Sequence, residues 1–135
     1  MSSEPFPEIV DQAIDLNVLG KPLEVCSCQP MTGWFRDGHC RTDVGDTGRH
    51  SVCCVMTESF LSYSRAQGND LSTPKPEFGF PGLQAGDHWC VCAPRWKEAQ
   101  EDGVAPPVVL NSTESTTVEI IPLHILKAHA HQGMS

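Results

Sequence analysis

No stretch of this 135-residue chain stays apolar for the ~18 to 20 residues that a bilayer-spanning helix needs. Basic residues are scarce: nine Lys and Arg stand against 17 Asp and Glu, for a net charge of −8. Without a Lys/Arg cluster to neutralise several phosphates, the chain is expected to bind neither nucleic acid nor an anionic membrane surface. The opening MSSEPFPEIVDQ lacks the basic start and apolar stretch of a secretory signal, so the expected location is cytoplasmic. Aromatic residues make up only 7%, and no CxxC pair occurs, so the usual zinc-knuckle signature is missing. At this length one core is expected and two full domains are not.

What the chain does have is cysteine. Seven residues is an odd number, so at least one thiol stays unpaired in a monomer, and a cytoplasmic setting predicts that the others stay reduced too. Residues 1–10, with Pro5 and Pro7 and no periodicity, read as a flexible arm, and 11–131 as a single domain. The runs near Val25, Val52, Val91, Val109 and Ile120 read as strands. Helices are predicted from Thr57, which offers an N-cap, and from Pro94 and Pro122, which suit a first helical turn. Gly68 and Gly103 close the first two. The expected fold class is α+β: a single compact two-layer domain, with a small sheet and about three helices. Between 68 and 87, three prolines and four glycines shape a long loop of the kind that often carries function.

In order along the chain, PLEVCS, TGWFRDG, HSVCCVMTESFLSYS, GNDLSTPKPEFGFPGL, GDHWCVCAPRWKEA and GVAPPVVL resemble the bacterial family called domain of unknown function 2237. The resemblance runs from about Leu16 to Ala130. It implies a compact two-layer α+β domain and no established activity, substrate or cofactor. Relatives carry Cys-Cys where this chain has His39-Cys40, a departure that argues against a thiolate role at position 39.

Three chemistries compete for the polar residues. Cys26, Cys40, His50, Cys53, Cys90 and Cys92 are soft donors able to hold zinc, although CxC and CC spacings differ from the common pattern. The opposing reading makes the strand cysteines small core residues, above all Cys54 among its apolar neighbours. A thiol nucleophile needs a helix N-terminus, a cation or a base beside it. Cys92, just before the Pro94 helix and near Arg95 and His88, is the first candidate, and Cys40, between His39 and Arg41, is the second. Finally, Arg36, Asp37, Asn69, Asp70, Ser72, Thr73 and Arg95 supply the forks and loop hydrogen-bonding groups of a site for a small anionic ligand. The competing reading is ordinary turn chemistry for Asp37-Gly38 and Asn69-Asp70. The leading expectation is therefore a small-ligand binding module. A metal-dependent or thiol-dependent enzyme and a structural protein with reduced core cysteines are the alternatives.

Overall fold

The computed structural model describes residues 15–42 and 45–131. The expected arm over 1–10 lies outside these residues.

Strand β1 (His50–Val55) pairs antiparallel with β2 (His88–Cys92). Both strands alternate, and the alternation sorts their side chains onto two faces. Val52 and Cys54 of β1 and Trp89 and Val91 of β2 enter the main hydrophobic core, where they meet Phe60, Trp96 and Leu126 from the helices. On the other face Cys53 and Cys90 stand opposite each other in register. They form a second, smaller buried cluster with Cys26 and Cys40.

The helices begin and end where local chemistry dictates. Helix α1 (Glu58–Ala66) is capped by the Thr57 hydroxyl, which accepts the Phe60 N–H at 3.0 Å. It is closed by Gly68, whose φ of +90° only glycine adopts readily. Met56 before the cap and Leu61 inside the helix are both buried in the core, the spacing of a hydrophobic staple. Helix α2 (Ala93–Glu101) follows β2 with no intervening loop, so Cys92 is at once the last strand residue and the N-cap. Trp96 of α2 is wholly buried, and its indole N–H donates to the Pro106 carbonyl at 3.0 Å. Helix α3 (Leu123–Ala128) packs Leu126 against the same core.

Three expected strands are corrected: among the described residues the sheet has two strands rather than five. The segment after Pro106-Pro107 makes only isolated bridges, Val108 to Cys54 and to Ala130, because neither proline has an N–H to extend a ladder. The run ending in Ile120 forms a short 3₁₀ turn, Ser115–Glu119. There Glu114 accepts the Thr116 N–H, and the Thr117 hydroxyl donates to the Ser51 carbonyl at 3.4 Å, so side chains take backbone groups a ladder would use. Val25 is exposed in a loop.

The expectation of reduced cysteines is also corrected. Cys26 pairs with Cys53, and Cys40 with Cys90. These bonds tie the loop segment over 15–42, which has no helix or extended strand, to the second face of the sheet. Cys28, Cys54 and Cys92 remain free. No helix is long and apolar enough to cross a membrane among the described residues.

Candidate thiol site

The site grows from the way β1 begins. Arg49 has a left-handed backbone, φ +53°, and its carbonyl accepts the N–H of Ala93, the first residue of α2, at 2.9 Å. That bond holds the start of β1 against the start of α2. An irregularity in the register follows, and it leaves His50 directly opposite Cys92. The left-handed conformation is costly for a residue with a Cβ. It is offset here by the Arg49 guanidinium, which donates to the Thr116 hydroxyl at 2.7 Å and faces Glu119 at 3.4 Å.

Behind His50 lies Asp46, a carboxylate with almost no solvent exposure. Its Oδ1 is 2.6 Å from His50 Nδ1, while Oδ2 accepts the His50 backbone N–H at 2.9 Å and the Thr42 hydroxyl at 3.1 Å. Burial alone would raise the Asp46 pKa, but the hydrogen bonds and charge of His50, with that from Thr42, bring it below the usual carboxylate value. A carboxylate can only accept, so His50 Nδ1 carries the proton between them, and Nε2 is the ring nitrogen left over, with Cys92 as the cross-strand partner of His50. Hydrogen bonding with Cys92 is the largest cause pushing the His50 pKa up to about 9; Asp46 adds to it and burial opposes it. Asp46, His50 and Cys92 thus form a line of acceptor, imidazole and thiol.

The surroundings fix this line in place. The Trp34 ring stacks on the imidazole, with centroids 5.9 Å apart and planes 19° from parallel. Gly48 closes the other approach: a Cβ there would stand 3.2 Å from Cys92 Sγ and 3.1 Å from His50 Cε1. Gly33, next to Trp34, has φ +100°, and a Cβ on it would meet the His39 carbonyl oxygen at 2.2 Å. Cys92, at the N-terminus of a nine-residue helix, also faces the positive end of the helix dipole.

His50 and Cys92 open into a cleft of about 390 Å³. Its walls include Trp34, Phe78, Phe80 and Trp89, with Arg36 and Lys75 as cations. Phe80 meets Trp89 edge to face at 5.3 Å, and the Arg36 guanidinium lies over the Trp89 ring at 5.4 Å. The walls thus combine aromatic surface with positive charge.

The structure distributes the sequence candidates unevenly. Arg36, Asn69 and Asp70 line the cleft. Asp70 is also the hub of a turn, accepting the Ser72 N–H and the Thr73 hydroxyl; chiefly through the Thr73 bond, its pKa falls to about 2. Ser72 lines a separate surface hollow beside Arg65. Asp37 pairs with Arg41 at 2.8 Å, and Arg95 donates to the Gln67 carbonyl at 3.2 Å and faces Glu98, away from the cleft walls. Arg36 and Arg95 therefore do not converge on one anion. Of the two nucleophile candidates, Cys92 is a free thiol in the cleft, whereas Cys40 is wholly buried in a disulfide and cannot attack a substrate. Four of the six metal candidates, Cys26, Cys40, Cys53 and Cys90, gather in the second buried cluster, and Cys90 also lines the cleft beside the other two, His50 and Cys92. Burial pushes the Cys54 thiol up and keeps it inert in the core. Asp46 was not singled out by sequence: the only signal was an Asp four residues before a His in a glycine-rich loop.

A family model described as an uncharacterized protein conserved in bacteria, DUF2237, matches residues 16–130. The chain belongs to the DUF2237 family. The match takes in every residue of the DUF2237 thiol site, from Trp34 to Cys92. Among curated proteins, none matches the chain.

The titration of His50 makes a prediction for this DUF2237 domain. Its folded pKa of about 9 lies above the ordinary 6.5. Its contribution to stability is therefore complete below about pH 6.5 and is lost as pH rises through about 9. The urea midpoint of the wild type should exceed that of His50→Gln by a margin that shrinks across this window. A margin that is constant from pH 6 to pH 10 would contradict the pairing.

Proposed function

We propose that this protein is a thiol-dependent enzyme of acyl transfer, with Cys92 as nucleophile, His50 as base and acid, and Asp46 as the positioning residue. The observation that carries the reading is the alignment of Asp46, His50 and Cys92, with the thiol at the head of α2 and at the floor of a cleft. In the reaction, His50 takes the thiol proton and Cys92 Sγ bonds to a carbonyl carbon as the carbonyl electron pair moves to oxygen. The pair returns, the bond to the leaving group breaks, and His50 passes the proton to the departing atom. Water, or a second acceptor, then attacks the thioester by the same route. Asp46 holds the Nδ1 proton throughout and stabilises the imidazolium. Arg36 and Lys75 supply the anion-binding element, so the favoured substrate carries a carboxylate or phosphate beside its acyl group.

Alkylation of the native protein with iodoacetamide at pH 7, mapped by peptide mass spectrometry, tests the reading. Cys92 should react before Cys28, although Cys28 is the more exposed thiol, and Cys54 should react only after unfolding. Equal or faster labelling of Cys28 contradicts an activated Cys92.

A further inference from the structure

The buried cluster of Cys26, Cys40, Cys53 and Cys90 contains neither His50 nor Cys92, although Cys90 also lines the cleft, and it has the makings of a second site. The sulfurs of Cys26, Cys40 and Cys90 all lie within 4.8 Å of one another, and Cys53 is bonded to Cys26. Cys53 and Cys90 are also direct cross-strand partners on one face of the sheet, which places their Cβ atoms roughly 4.5 to 5.5 Å apart. A tetrahedral zinc tetrathiolate, with Zn–S near ~2.3 Å, needs sulfurs about 3.8 Å apart. The knot therefore has to open by only a small movement once its two S–S bonds are cleaved.

We propose that Cys26, Cys40, Cys53 and Cys90, when both disulfides are reduced, hold one zinc-class divalent cation as a tetrathiolate. The reductant is a dithiol. Each disulfide takes two electrons and two protons from one dithiol, which becomes a disulfide in turn, and two protein thiols result. On binding the cation the four thiols release four protons to solvent, and the dication offsets two of the four thiolate charges. Cys26, slightly exposed at 6% while the other three are at 0 to 1%, is where the reductant reaches the cluster. Soft thiolate donors alone, with no carboxylate or imidazole in the set, select zinc over magnesium or calcium. Either state does the same mechanical work, tying the loop over 15–42 to β1 and β2. The oxidised state suits an oxidising compartment, and the metal state a reducing one.

The test uses the full chain, reduced without oxygen by a dithiol that is then removed, and titrated with Zn²⁺ or Co²⁺ alone. One cation per chain by native mass spectrometry is expected, with the sulfur-to-cobalt charge-transfer band and the intense visible bands of a tetrahedral site in the Co²⁺ form. Cys26→Ser with Cys53→Ser should abolish both signals, whereas Cys28→Ser and Cys92→Ser should leave them intact. Circular dichroism on the same samples covers the case in which reduction unfolds the chain: addition of Zn²⁺ is then expected to restore the fold. A reduced chain that binds no cation, one that Zn²⁺ fails to refold, or binding that survives the Cys26 and Cys53 changes would overturn the proposal.

Discussion

His50→Ala is expected to slow alkylation of Cys92 at pH 7 by about 30-fold while leaving Cys28 unchanged. The magnitude follows from what the imidazole does. The thiolate is the nucleophile, and in the proposed reaction His50, the cross-strand partner of Cys92, takes the thiol proton. A thiol without such a partner is ionised at neutral pH to only about a few per cent, so losing the partner costs the reciprocal of that fraction. Cys28 serves as an internal control because it is exposed and lies in a different part of the chain. Asp46→Asn should give a smaller loss, since His50 and Cys92 both remain while the imidazole loses its anionic anchor. Identical Cys92 rates in wild type and His50→Ala would show that the two side chains do not act as a pair.

Replacing Cys40 and Cys90 together by alanine should destabilise the oxidised protein by about 4 kcal/mol, the larger of the two disulfide effects. The bond spans 50 residues, against 27 for Cys26–Cys53. Closing a loop of that length removes more freedom from the denatured chain, and the shorter loop is expected to contribute about half a kcal/mol less. The loop over 15–42 has no helix or extended strand, and these bonds join it covalently to β1 and β2. Loss of the tether also reaches the thiol site, because Trp34, which stacks on His50, belongs to that loop. The midpoint of denaturant unfolding under non-reducing conditions measures the effect. A change below about 1 kcal/mol would mean that the loop is held by other contacts.

Local signals read well from sequence and long-range ones did not, for physical reasons visible in individual residues. Thr57, Gly68 and Gly103 act within one helical turn of themselves, so their capping roles could be read without knowing the fold. The alternation in HWCVC is likewise local, and it puts Trp89 and Val91 in one cluster and Cys90 in the other. By contrast, TTVEII looks like a strand in isolation and is a turn because the Glu114 side chain takes the Thr116 N–H and the Thr117 hydroxyl takes the Ser51 carbonyl. The disulfides depend on the loop over 15–42 folding back across the sheet, which no local pattern announces. Cys92 was legible as a thiol at a helix start, while His50 entered only as a metal donor. Its partnership with Asp46 requires the left-handed turn at Arg49, an unusual backbone for a residue that is not glycine.

The most direct measurement of the central claim is to trap the covalent intermediate. The native protein is mixed with an activated aryl acetate, quenched in acid during the first turnover, and digested for mass spectrometry. The account predicts one acetyl group per chain, on Cys92 Sγ, formed in a burst of aryl alcohol release and absent from Cys92→Ala. An acetyl group spread over Cys28 and the lysines, with none enriched on Cys92, would contradict it.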